Sequence, residues 1–231
     1  MSKVELDRQS LRHAATSSKF KSSENFFFGD DGSQRPSELV YHMALRGYKG
    51  HKLFRRDEDY RKFLYLLNRC TILYNCKIYG YVLMTNHLHI LFKTNCAAKI
   101  AGYLIRCYNG YYVLTRHICD NCRTLFDPPG FSIKYTKEFQ LDTLMYILNN
   151  PVVAKMSKSQ GGYPYSSYSN YTNHRNKSAR LVNIDCSFLH ENYTTFEEFR
   201  KDLKVDLTKR LSMKKHKKVQ GLNYDEWHKT N

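Results

Sequence analysis

The chain has 231 residues, 37 Lys and Arg against 21 Asp and Glu, a formal net charge of +16 and a pI near 9.5. That excess of positive charge points to a polyanionic partner, and the lack of any apolar run long enough to span a bilayer turns the choice from a membrane surface towards nucleic acid. The first residues carry no apolar signal-peptide core, and the seven cysteines, an odd number, read as reduced thiols, so the expectation is a cytosolic, DNA-associated protein with no membrane partner.

Residues 1–36 are rich in Ser, Lys, Arg and Gln and show neither helical nor strand periodicity. They read as a polar arm, interrupted by Phe26-Phe27-Phe28. From Glu38 to Arg46 apolar residues alternate, which predicts a strand closed by Gly47 and Gly50. Asp57-Glu58-Asp59 suits the positive end of a helix dipole. Phe63, Leu64, Leu66, Leu67, Cys70 and Leu73 follow at helical spacing, predicting a helix to about Tyr74. Lys77 to Leu83 and His87 to Phe92 read as two strands joined through Thr85-Asn86 as a hairpin. A second helix runs from Ala97 to about His117, with Ile100, Leu104, Cys107, Tyr111 and Leu114 as its apolar stripe. After Asp127-Pro128-Pro129-Gly130, Phe131 to Tyr135 reads as a short strand. A third helix follows from Lys137, N-capped by Thr136, and is expected to end at Asn149 or Asn150 because Pro151 disfavours helical geometry before it.

The order strand, helix, strand, strand, helix, strand, helix predicts an α+β protein. Its core is a ferredoxin-like βαββαβ sandwich with an antiparallel sheet, helices on one face, and the other face open for a site. To this are added the tyrosine-bearing helix and a mostly helical, basic C-terminal extension. The domains expected are the arm (1–36), a folded α+β domain (37–160), which the resemblance given below implies is catalytic, and an aromatic and basic extension (161–231). In the extension, Tyr163-Pro164-Tyr165-Ser166-Ser167-Tyr168 offers aromatic faces for bases. Thr195 and Glu198 form a capping box for a helix to about Leu211. Six Lys or Arg and no acids lie between Lys209 and Lys218, ending in a tail.

Two features carry chemistry. Alternation along a strand places His87 and His89 on one face and Leu88 on the other, which makes half of a metal site. With ten histidines in the chain, such a pair also arises by chance. On the third helix Leu141, Leu144, Met145 and Leu148 form the apolar stripe, while Tyr146 shares a different face with Asp142 and Asn150. The plain reading of that face is a surface tyrosine and an asparagine that stops the helix. His117-x-Cys119-x-x-Cys122 has the spacing of half a zinc knuckle, but no second Cys-x-x-Cys completes it.

The ordered set Tyr41-His42, Arg46-Gly47, Leu53-Phe54, Asp57 to Asp59, Phe63-Leu64 and Met84-x-Asn86-His87-x-His89 resembles single-tyrosine HUH transposases, most of all the REP-associated tyrosine transposases. Tyr108-Asn109-Gly110, Leu144-x-Tyr146-Ile147-x-x-Asn150-Pro151-Val152 and Tyr163-Pro164-x-Ser166-Ser167-Tyr168 continue it, over about residues 38–170. The resemblance implies DNA transposition and recombination: cleavage and rejoining of single-stranded DNA at hairpin-forming repeats through a 5′-phosphotyrosine intermediate. It implies Tyr146 as nucleophile and His87, His89 and Asn150 as ligands of Mg²⁺ or Mn²⁺. A phenol titrates at about 10 and is a poor nucleophile without help, while a hard cation offsets charge on the phosphate. Tyr111 and Tyr112 compete as nucleophiles. His42 matches a strand-one histidine of the family, and its plain reading is a packed residue that satisfies a backbone group.

The partner expected is single-stranded or hairpin DNA, with Arg46, Arg106, Arg116, Lys209, Arg210, Lys214 and Lys215 as candidate contacts and a monomer or homodimer as the acting form. One departure stands out. The family commonly carries a Gln-Gly-Arg-Phe-type segment before the last strand, and here Asp127-Pro128-Pro129-Gly130-Phe131 lacks the arginine. Two alternatives therefore accompany the transposase reading: a domesticated or inactive nucleic-acid-binding protein of the same fold, and a replication-initiation nickase using the same chemistry.

Overall fold

The computed structural model describes residues 38–116, 125–172 and 181–219, all within the unit that begins at Glu38. The polar arm with its Phe26-Phe27-Phe28 run, and His117, Cys119 and Cys122, lie outside the described residues.

Four strands, β1 (Leu39–Arg46), β2 (Lys77–Leu83), β3 (His87–Thr94) and β4 (Gly130–Ile133), form one antiparallel sheet in the order β2-β3-β1-β4. Helix α1 (Asp57–Leu73) connects β1 to β2 and α2 (Ala97–Arg116) connects β3 to β4, which is the ferredoxin-like arrangement expected. α3 (Lys137–Val153) follows β4, then two single-turn helices, α4 (Tyr168–Tyr171) and α5 (Ser187–His190), and a long terminal helix, α6 (Phe196–Val219).

Strand alternation divides the core in two. Met43, Leu45, Ile78, Tyr81, Leu83, Leu88, Ile90 and Phe92 point to the face covered by α1 and α2, where they meet Phe63, Leu67, Leu104 and Tyr108. Val40, Val82 and Leu91 point to the opposite face and meet Leu144, Ile147 and Leu148 of α3, with Phe199 and Leu203 of α6 behind them. The second face is thus not open along its length: α3 lies across it, and the site occupies the part that α3 leaves beside β1. Gly80 permits this closeness, because a Cβ there would stand 2.5 Å from Leu144 Cδ1.

Several local expectations need correction. Leu73, the last residue of α1, is exposed. On α2, Leu114 is 79% exposed, and the buried stripe runs instead through Ile100, Ala101, Leu104, Tyr108 and Tyr112. On α3, Leu141 and Met145 are only partly buried, and Ile147 joins Leu144 and Leu148 as the buried face. α3 also passes through Pro151 to Val153. The carbonyls at this end find other donors: Ala154 N–H donates to Asn150 O (2.9 Å), Met156 N–H to Pro151 O (2.8 Å) and Lys214 Nζ to Val153 O (2.9 Å). Pro151 is itself buried, so packing holds the helical turn that local sterics disfavour.

The tyrosine-rich segment is a structural edge. Leu83 N–H donates to Tyr165 O (2.9 Å) and Ser167 N–H to Tyr81 O (3.0 Å), which covers the free edge of β2. Tyr163 and Tyr168 are buried, Tyr163 donates to Leu83 O (2.7 Å), and Tyr165 stacks on Tyr60 with ring centroids 3.7 Å apart. These faces are used in packing and are not presented to bases. Thr195 and Glu198 make the expected capping box. The helix it starts does not end near Leu211 but continues to Val219, so the basic run is helical and not a tail.

Candidate functional site

The site is built on the β1–β3 pair. Met84 N–H donates to His87 O (2.8 Å), closing the two-residue Thr85-Asn86 turn. Leu53 N–H donates to Thr85 O (2.9 Å) and Gly47 N–H to Asn86 O (2.8 Å), so the turn is braced from outside. A braced turn fixes the register of β3, and with it the face on which His87 and His89 emerge. In the β1 register Arg46 lies opposite His87, Ala44 opposite His89 and His42 opposite Leu91. Directly opposed residues share a face, so exposed Arg46 sits beside His87 and His42 is the diagonal neighbour of His89.

α3 brings Tyr146 to these histidines. The Tyr146 hydroxyl is 3.3 Å from His89 Nε2, and the two rings meet edge to face at 5.1 Å. The other ring nitrogen of His89, Nδ1, is 3.0 Å from His42 Nε2, and those rings stack at 5.1 Å. His87 and His89 rings are 5.3 Å apart. His87 Nδ1 is 2.8 Å from Asn86 Oδ1, an atom that only accepts, so Nδ1 carries the proton and the neutral ring has its lone pair at Nε2. For His89 two proton arrangements satisfy both bonds. In one, Tyr146 donates to Nε2 and Nδ1–H donates to His42; in the other, both bonds reverse. The first gives His89 the same tautomer as His87.

This donor set fits a divalent cation in part. A histidine ligand characteristically donates its second nitrogen to a protein partner, and Asn86 and His42 stand where such partners belong. Yet among the described residues no group of three or more His, Cys, Asp or Glu is gathered to hold a metal ion. Further ligands would then be oxygens of another kind, such as a side-chain amide, water or a substrate oxygen. Asn150 is half-buried one turn beyond Tyr146 on α3. Its neighbour Asn149 is fully buried and committed elsewhere: Nδ2 donates to Leu203 O (3.0 Å) and Asp206 Oδ2 (2.8 Å), and Oδ1 accepts from Gln160 (2.7 Å).

The competing tyrosines face away. Tyr111 donates to Asp59 Oδ1 (3.0 Å) and Tyr112 is buried, both in the layer of α1 and α2. Arg106 is exposed on α2, in that same layer, and Arg116 ends that helix. Lys209, Arg210, Lys214 and Lys215 all lie on α6. Of these, Arg210 reaches the site, with its guanidinium carbon 5.1 Å from the centroid of the Tyr146 ring.

Sequence reasoning underrated His42 and did not see Asp206, Asn149 or Gln160. Strand alternation in β1 put His42 on the His89 face, and the i,i+4 spacing of Asp206 and Arg210 was readable as a helical ion pair. Asn149 gave no local signal.

No protein-family model matches the sequence, and no curated protein matches it. Among solved structures, the fold is similar to that of a REP-associated tyrosine transposase bound to a REP hairpin. The TM-score is 0.50 at 12% identity, over 60% of this chain and 81% of that one. The likeness is one of fold: an antiparallel sheet with helices of mixed α+β architecture.

Proposed function

We propose that this protein is a DNA strand transferase that cleaves and rejoins single-stranded DNA through Tyr146. The observation that carries the reading is the contact of the Tyr146 hydroxyl with His89 Nε2 at 3.3 Å, on a sheet face that also presents His87, His42 and Arg46. The net charge of +16 supports a polyanionic substrate, and the solved structure of similar fold is bound to a DNA hairpin.

In the step envisaged, the Tyr146 oxygen forms a bond to a backbone phosphorus and the bond from that phosphorus to the 3′ oxygen breaks. The phenol proton passes to solvent and the departing oxygen takes one up, so the products are a 5′-phosphotyrosine and a free 3′-hydroxyl. The phosphoester bond is exchanged, not hydrolysed, which lets the strand be rejoined by the reverse step without ATP. His87 and His89, through Nε2, and Asn150 are the residues that would hold Mg²⁺ or Mn²⁺, which when bound supplies positive charge that polarises the phosphate. Arg46, across from His87, is placed to meet a phosphate oxygen entering from the β1 side. His42 orients the His89 ring through Nδ1.

A second reading, a nucleic-acid-binding protein without turnover, is favoured by one observation: both ring nitrogens of His89 already have protein partners. The two separate in one assay. Labelled oligonucleotides carrying hairpin-flanked single strands are incubated with Mn²⁺ or Mg²⁺. The transferase reading expects a covalent adduct that needs the metal and is lost in Tyr146→Phe. The binder reading expects salt-sensitive binding with no adduct.

A further inference from the structure

The helix that carries Tyr146 is clamped from outside by α6, and the clamp ends on the phenol ring. Asp206 Oδ2 accepts from Arg210 Nε (2.6 Å) and from Asn149 Nδ2 (2.8 Å). Asn149, three residues beyond Tyr146, has no exposed surface, and its amide is further tied to Leu203 and Gln160. Arg210 is thereby fixed at one end, and its NH2 group donates to Asp142 O (3.5 Å), one turn before Tyr146. Between these anchors the guanidinium lies over the Tyr146 ring. The Arg210 and Asp206 side chains are 16% and 15% exposed, so solvent screens their charges less than at an open surface.

We infer that Arg210 is a positioning residue for the nucleophile, supplied in the same chain by α6, and not a contact for DNA phosphate as its place in a basic run implies. This rests on the reading of Tyr146 as nucleophile. Two guanidinium donors, Nε–H and one on NH2, go to Asp206 and the Asp142 carbonyl, which holds the group beside the ring. A cation over an aromatic face is attracted by the ring, and the attraction grows when the phenol oxygen is ionised, the form that attacks phosphorus. The other groups around the ring are His89 on β3 and His42 on β1, Asp142 on α3 and Asp206 on α6. The consequence is that the basic C-terminal helix is part of the catalytic apparatus, while Lys209 and Lys215 on its exposed side remain available for phosphate.

The test uses the full chain with Mn²⁺ and labelled single-stranded oligonucleotide, comparing native protein, Arg210→Gln and Arg210→Lys. The expected result is adduct formation at saturating DNA about tenfold slower in Arg210→Gln, the size of a partly desolvated cation–π contact, with DNA affinity little changed. Arg210→Lys, which keeps the charge and loses the fork, is expected to recover only part of the rate. A variant that binds DNA more weakly but reacts at the native rate when saturated would make Arg210 a DNA contact and overturn the inference. A readout that needs no activity accompanies it: with ¹³Cζ-tyrosine at one fixed neutral pH, the resonance lost in Tyr146→Phe should shift in Arg210→Gln and stay in place in Lys209→Gln. A Tyr146 resonance unmoved in Arg210→Gln also overturns the inference. Absence of any adduct from native protein would instead sink the transferase reading, and the Tyr146 resonance still judges whether Arg210 positions the ring.

Discussion

The Tyr146 hydroxyl and His89 Nε2 stand 3.3 Å apart although 57 residues separate them in the chain. One side chain is delivered by a strand whose register is fixed by a braced two-residue turn. The other comes from a helix seated across the same face by Leu144, Ile147 and Leu148. The contact is a product of the whole sandwich, and perturbing its supports has separable consequences.

His42 is expected to matter through His89. Removing the partner of a ligating imidazole typically lowers metal affinity by about ten- to a hundredfold. Mn²⁺ binding followed by electron paramagnetic resonance should therefore be lost in His89→Ala and weakened to about that extent in His42→Ala, with the fold intact by circular dichroism. Equal Mn²⁺ affinity in native protein and His42→Ala would contradict the role given to the 3.0 Å contact.

The seat of α3 depends on Gly80. A methyl group there would meet Leu144 Cδ1 at 2.5 Å within a fully buried cluster. Gly80→Ala should destabilise by about 1–3 kcal/mol through overpacking. Leu144→Ala alone should cost about 2–5 kcal/mol through the cavity it leaves. Together they should cost less than the sum, because the added methyl fills part of the space vacated; urea denaturation of the four proteins gives the coupling.

Arg46 is expected to act on a phosphate. In filter-binding titrations of single-stranded DNA across a salt series, loss of one phosphate contact reduces the slope of log K against log salt by about 0.7. Arg46→Ala should show that change, and Arg106→Ala, on the opposite layer, should not. An unchanged slope in Arg46→Ala would remove it from the site.

Acid stability should depend on Asp57. Its carboxyl is held below the usual carboxylate range, first by the hydrogen bond from Tyr165 (2.5 Å) and then by the one from Arg61. A folded-state value below the unfolded one means the contribution is present above the ordinary carboxylate range and is lost as pH falls through the depressed folded value. Tyr165→Phe should bring the Asp57 titration, followed by NMR, back towards its ordinary position. It should also flatten the acid limb of stability against pH.

Much of the frame was legible because it rests on local periodicity. The alternation of β1, the hairpin through Thr85-Asn86 and the stripe of α1 each follow from neighbours in sequence. The face shared by His87 and His89 was legible for the same reason, whereas the local pattern of α3 marked Tyr146 only as a surface tyrosine and it was the family resemblance that singled it out. What escaped depends on partners far along the chain. Pro151 stays helical because it is buried where α3 packs, and Lys214 and the turn beyond Val153 satisfy the carbonyls that follow it. Asn149, not Asn150, is the fully buried amide because α6 offers it Leu203 O and Asp206. Tyr163 and Tyr168 look like base-stacking residues until the edge of β2 claims their segment. Leu114 fits a helical stripe, yet the sandwich gives it nothing to cover.

The most direct test of the central claim is to trap the covalent complex and find its residue. Native protein is mixed with Mn²⁺ and a 3′-labelled hairpin-flanked single strand, denatured, digested and sequenced by mass spectrometry. The account predicts a nucleotide joined through its 5′ phosphate to the Tyr146 oxygen, absent in Tyr146→Phe. An adduct on another tyrosine, or one that persists in Tyr146→Phe, would contradict it.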